Sequence, residues 1–249
     1  MTAFDRLIGE ELDRWQETGK TARFWLRDDD AVEPTAALDD FLEIAGAFSV
    51  PATLAVIPVH TGDPLVQRLD RERLVSVAVH GWSHRNYAGS DEKKQELGRH
   101  RPLADVLAEL GAGFEKLAGL HQGRFIPMLV PPWNRIDRTL LPDLPGLGFK
   151  ALSVYGPEKP AALGMINSHV DVMDWHGTRG GRDPLELASE IVARLQHTFD
   201  RGGVTGVLTH HLVHDQAVRD FLTALFKATA SHPAARWISG ADAIQTSIT

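Results

Sequence analysis

Apolar residues along this chain recur with two different periods, and the periods alternate. Phe24-Trp25-Leu26 is a compact apolar run that reads as a strand, closed by Asp28-Asp29-Asp30. Leu38, Phe41, Leu42, Ala45 and Phe48 follow at intervals of three and four, which predicts an amphipathic helix. The same alternation predicts strands over 51–57 and 74–79, a short helix near 64–69 and a longer one over about 102–120. Residues 125–130, 151–154 and 170–173 are strand-like. A helix over 184–199 has Asp183 as its N-cap and a proline in its first turn. A strand at 204–208, a helix at 218–226 and the short run 236–238 complete the series, and a helix over about 3–18 precedes it.

Strands separated by helices imply parallel pairing with right-handed crossovers. About seven such units in 249 residues suit a closed or nearly closed sheet better than an open, doubly wound one. The expected fold is therefore α/β, an irregular parallel (β/α)7-type barrel, with the first helix packed outside it. One domain spanning 1–249 is expected, because no long linker, repeat or low-complexity tract interrupts the pattern. The glycine- and proline-rich stretch 142–167 reads as loops around one strand.

Composition narrows the partners. A formal net charge of -7 argues against nucleic acid, which favours a basic face. No apolar run is long enough to span a membrane. The first residues lack the basic start and apolar stretch of a signal peptide, which fits a cytoplasmic protein. With no cysteine, any bound metal must rely on carboxylates and on the 12 histidines.

The candidate chemistry gathers at the ends of predicted strands. His80 and His84 follow the strand at 74–79, and Gly81 between them disfavours a helix. Together with the Asp28-Asp29-Asp30 cluster they offer an aspartate and two histidines, ligand types found in catalytic zinc sites. Such a site leaves positions open for water and substrate, which suits hydrolysis. His60, Pro131-Pro132-Trp133-Asn134, Asp174-Trp175-His176 and His210-His211 also follow strand ends, on the face that carries the chemistry in α/β barrels. His210 and His211 are adjacent, so only one faces the site. His60, His169, His176 and His214 have no partner by spacing and read as polar surface groups.

The order of these motifs resembles the polysaccharide deacetylase family of carbohydrate esterases. The matching residues are Asp29-Asp30, His80 with His84, Pro132-Trp133, Asp171-Val172-Met173-Asp174-Trp175 and Leu208-Thr209-His210, and the resemblance covers roughly Phe24 to His211, most of the chain, with about 23–240 as the motif-bearing part of the domain. It implies that Asp30, His80 and His84 bind zinc, with cobalt, nickel or iron as alternatives. Asp29 would be the general base, with the pair Asp28 and Asp29 as the other way to align the cluster. On the Pro132 turn, the Trp133 amide would help hold an oxyanion. His210 would protonate the departing amine, Asp174 would orient His210, and Trp175 would line the wall beneath an acetyl methyl group.

Three positions depart from the family pattern. Ala31 stands for the usual glycine, Val130 for the arginine that steadies the base, and His211 for an aspartate. Arg27 and Arg135 are candidates to replace the missing arginine. The implied function is a metal-dependent hydrolase that removes an acetyl group from an N-acetylated sugar or related small amide. The alternative is a non-catalytic carbohydrate-binding relative that retains the metal site. In either case the partner is a small-molecule or oligosaccharide substrate. An unrelated metallohydrolase or iron oxygenase fits less well, given the motif order and the α/β alternation.

Overall fold

Every pairing between strands is parallel in the computed structural model, which describes residues 2–248. The strands are β1 (Ala22–Ala31), β2 (Ala52–Val56), β3 (Val75–Val79), β4 (Phe125–Leu129), β5 (Ala151–Leu152), β6 (Gly164–Met165), β7 (Val170–Asp171), β8 (Thr205–Thr209) and β9 (Ala235–Trp237). Their order is β6-β5-β4-β3-β2-β1-β8-β7, with β9 paired to the opening of β1. The two ends of this path belong to one run of chain. Residue 164 onward pairs with β5, and from His169 the same run hydrogen-bonds to β8. The sheet thus curls into the expected (β/α)7-type barrel.

The helices are α1 (Ala3–Glu17), α2 (Ala36–Ala47), α3 (Asp63–Leu69), α4 (Leu103–Leu120), α5 (Pro184–Arg201), α6 (Gln216–Thr229) and α7 (Gly240–Ile248). Capping explains several starts. Thr2 and Asp5 form a reciprocal capping box on α1, and Asp183 accepts from the Leu185 and Glu186 amides ahead of α5. As expected, α1 packs outside the sheet, where Trp15 meets Phe199 edge-on at 5.1 Å and Phe4 meets Phe221 at 5.8 Å. Between β4 and β5 the chain makes only 3-10 turns, and between β5 and β6 only loop, so no α-helix connects these strands. Among the described residues no helix is long and apolar enough to cross a membrane.

Strand alternation sorts the apolar residues into two layers. Phe24, Leu26, Leu54, Val56, Val77 and Val79 face the helices. Trp25, Ala55, Ala78, Met128, Val130 and Ala151 fill the interior of the barrel. The small alanines make room for Trp25, whose Nε1 donates to Thr53 Oγ1 at 3.0 Å. The first strand is longer than the apolar run suggests. Its backbone pairs with β2 and β8 beyond Leu26, so the three aspartates lie within the strand rather than after it.

Candidate active site

The aspartates on β1 face three directions, for a geometric reason. Asp28 and Asp29 obey the alternation, with Asp28 toward the helix layer and Asp29 toward the interior beyond Trp25 and Arg27. Asp30 would follow Asp28 outward, but its backbone is left-handed (φ 70°) and the β1–β2 register shifts between Asp28 and Ala31. A bulge of this kind re-aims a side chain. Here it turns Asp30 to the same end of the barrel that Asp29 occupies.

Asp30 meets His80 and His84 there. His80 Nε2 lies 3.1 Å from Asp30 Oδ1, and His84 Nε2 lies 3.3 Å from the same oxygen. All three groups offer ligand atoms within 4.8 Å of one another. The His80 Nδ1–H donates to the Val130 carbonyl at 2.9 Å, which fixes the tautomer and directs the Nε2 lone pair inward. An N,N,O donor set with one oriented imidazole fits a divalent cation such as zinc. Burial works against the Asp30 carboxylate, yet the hydrogen bond and charge of His80, and the charge of His84, hold its pKa well below the ordinary value. Burial also disfavours a charged His80, but its bond to Asp30 raises its pKa. His84 is pushed down by burial and by its neighbour His80.

The loop carrying the two histidines is built around Glu96, a fully buried carboxylate. It accepts from the amides of Trp82, Ser83 (2.7 Å) and His84 (3.2 Å), and from Ser83 Oγ at 3.0 Å. Gly81 is required beside it: its φ is +59°, and a Cβ there would collide with the Glu96 carboxylate and with Pro132. Nothing in the sequence marks Glu96, since it sits in an aperiodic polar stretch and acts only through backbone amides.

Asp29 is 2 % exposed and joined to Arg27, which is fully buried. Arg27 Nη2 donates to Asp29 Oδ2 at 2.9 Å and to Asn134 Oδ1 at 2.7 Å, and Nη1 donates to Ser153 Oγ at 2.7 Å. The other carboxylate oxygen, Asp29 Oδ1, is buried with no hydrogen-bond partner. Between the two candidates, the structure places Arg27 against Asp29, while Arg135 donates to the Lys94 carbonyl at 2.8 Å. Val130 lies in the apolar interior and contributes its backbone to His80.

The remaining expected residues divide. His210 Nε2 is 4.0 Å from Asp29 Oδ2, and its Nδ1 is buried without a partner. Trp175 meets the His210 ring edge-on at 4.7 Å. Trp133 has a left-handed backbone (φ 54°) after Pro132 and packs against His84 at 4.3 Å. The turn is held by the Asn134 and Arg135 amides, donated to the Pro131 and Pro132 carbonyls, so these bonds do not use the Trp133 N–H. Asp174 is not brought to His210. Its oxygens accept from the Gly177 and Thr178 amides, which close a loop and keep its pKa low. Asp171 lies nearer: it accepts from Trp175 Nε1 at 2.9 Å, and burial raises its pKa although the charge of His210 works against that rise. A carboxylate three residues past the end of β7 is taken by loop amides, which spacing alone does not reveal.

His211 turns the other way, as adjacency requires. Its Nδ1 and backbone N–H both meet Asp28, at 2.5 Å and 2.8 Å, on the helix side of β1. Burial opposes a charged imidazole there, but Asp28 raises the His211 pKa. Asp28 is thereby committed away from the three-ligand cluster, which leaves Asp29 and Asp30 as the pair at the site. Two histidines read as surface groups are also engaged inside: His169 accepts from the Gly206 amide at 3.1 Å and meets Glu158, and His214 bonds Thr209 Oγ1.

No protein-family model matches this chain, and no curated protein matches it in sequence. Solved structures do match in three dimensions. A Mycobacterium smegmatis protein provisionally described as a polysaccharide deacetylase superposes with a TM-score of 0.66 at 16% identity, covering 92% of this chain and 91% of its own. A family 4 carbohydrate esterase from Streptomyces lividans, in complex with acetate, gives 0.60 at 17% identity over 91% and 95%. A family 4 acetyl xylan esterase from Clostridium thermocellum, in complex with a cobalt ion, gives 0.55 at 13% identity over 90% and 91%. This chain has the fold of the polysaccharide deacetylases.

Proposed function

We propose that the chain is a divergent polysaccharide deacetylase, a metal-dependent hydrolase that releases acetate from an N-acetylated sugar or related small amide. One observation carries the reading. Three metal-ligand groups converge beside an arginine-held carboxylate whose second oxygen has no partner. The acetate and cobalt ion of the two esterases agree with it. The substrate in this reading is a small or oligomeric acylated sugar met in the cytoplasm.

Asp30, His80 and His84 would hold the ion, with zinc the first choice and cobalt, nickel or iron open. Bound there, a divalent ion lowers the pKa of a coordinated water and polarises the acyl carbonyl. Asp29 takes the proton of the attacking water on Oδ1, while Arg27 fixes Oδ2 and keeps the carboxylate aimed. As the C–N bond breaks, His210 gives a proton to the departing amine. Asp171, rather than Asp174, supplies negative charge near that imidazole. The Trp133 amide contributes to the oxyanion site, and Pro132 and Trp175 form walls.

Acetate release from a panel of N-acetylated sugars, with metal-loaded protein, tests this reading. Turnover is expected, with Asp29→Asn inactive yet still binding metal. No acetate from any member, alongside equal metal binding by Asp29→Asn, overturns it. The non-catalytic alternative draws on Val130 and His211. Arg27 answers the first of these, because the base still has a guanidinium partner.

A further inference from the structure

Where the connections between β4, β5 and β6 contain no α-helix, a groove of about 490 Å³ runs from Asn134 at the rim across Leu152 and Val154. Among the described residues its charged lining side chains are Arg135, Arg138 and Lys159, with no carboxylate. The acids adjacent in sequence are committed elsewhere. Asp137, beside Arg138, pairs with Arg99 at 3.1 Å and caps the Thr139 amide. Glu158, beside Lys159, pairs with His169 at 3.1 Å and Arg194 at 2.7 Å. Arg135 is anchored through a neutral carbonyl, that of Lys94, so its charge is positioned but not neutralised.

A protein of net charge -7 thus keeps three uncompensated cations in one groove, next to the asparagine that bonds Arg27. Apolar walls lower the local dielectric and strengthen such a field. By contrast, in the groove near Pro34 and Pro64, Arg68 is neutralised by Asp39 and Glu72. Tyr155, 44% exposed at the groove, offers a flat surface for a sugar ring.

We infer that this groove receives an anionic group, a phosphate or a carboxylate, carried by the acylated substrate beyond the sugar that presents its amide. The inference rests on the deacetylase reading for where the amide lies. Its test reads binding separately from turnover. Calorimetry with metal-loaded protein at low salt compares N-acetylglucosamine, its 1-phosphate, its uridine-diphosphate ester and N-acetylmuramate. At least one anionic sugar is expected to bind about tenfold tighter than the neutral one, the size of one good charge-assisted contact. The phosphate and carboxylate arms identify the source.

In Arg138→Gln/Lys159→Gln the preference should vanish, while Arg138→Lys should keep it; circular dichroism confirms that each variant is folded. Equal binding of all four sugars, or a preference that survives the double variant, overturns the inference. Anion preference without acetate release from any sugar would sink the hydrolase reading and leave the groove standing. Acetate release with no anion preference would do the reverse.

Discussion

Arg27 donates to Asp29 over 2.9 Å, although the two residues lie on one strand, two positions apart, and are both buried. Residues at i and i+2 share a face of the sheet, so the strand itself delivers carboxylate and guanidinium together. An arginine at position 130, just past the end of β4, would instead enter the packed interior cluster that holds Val130.

Replacing Arg27 by leucine should abolish turnover and destabilise the fold by about 3–5 kcal/mol, because it strands a buried carboxylate. The double variant Arg27→Leu/Val130→Arg should recover part of both losses. Urea denaturation and acetate assays read the two effects, and no recovery in the double variant would show that Arg27 does more than neutralise Asp29.

Chelation should lower the melting temperature as well as remove activity. An ion held at one hundred times its dissociation constant stabilises the folded chain by about 2.7 kcal/mol. Asp30→Ala or His84→Ala should show no metal-dependent shift in scanning calorimetry, and a full shift in either would place the ion elsewhere.

Glu96→Gln keeps the shape of the side chain but removes the charge that gathers three amides and a hydroxyl. Metal affinity should fall by about 10–100-fold, the usual effect of losing a group that orients ligands. Competition with a chelating dye measures it.

Asp28→Ala should destabilise by about 3–5 kcal/mol by leaving His211 buried without its partner. Metal stoichiometry should stay the same, since the pair lies on the opposite side of β1 from Asp30, His80 and His84. Loss of the metal in this variant would show that the two faces of the strand are coupled.

His121 is buried at the end of α4 with neither ring nitrogen partnered, and burial pushes its pKa down to about 4. The unfolded chain therefore holds this proton between about pH 6.5 and 4 while the folded one does not. Stability is full above that window and falls through it, by about 1.4 kcal/mol per pH unit for one proton. His121→Leu should flatten this acid limb in a series of melting temperatures. An unchanged slope would assign the acid sensitivity to other groups, such as His214, whose pKa burial lowers to about 3.

Much of this protein is legible in the order of its residues. The alternating periods place the strands and helices, because burying one face of a strand or helix demands that spacing. His80 and His84 are visible as a pair, and the opposed directions of His210 and His211 follow from the pleat. Other features exist only in the folded chain. The bulge at Asp30 decides which aspartates share the site, and loop amides, not His210, take Asp174. Glu96 and Arg27 act through partners distant in sequence or through the bare backbone. Periodicity reports which face of an element is buried; it carries no information about which buried polar groups then find each other, and that is settled by backbone geometry at a few residues.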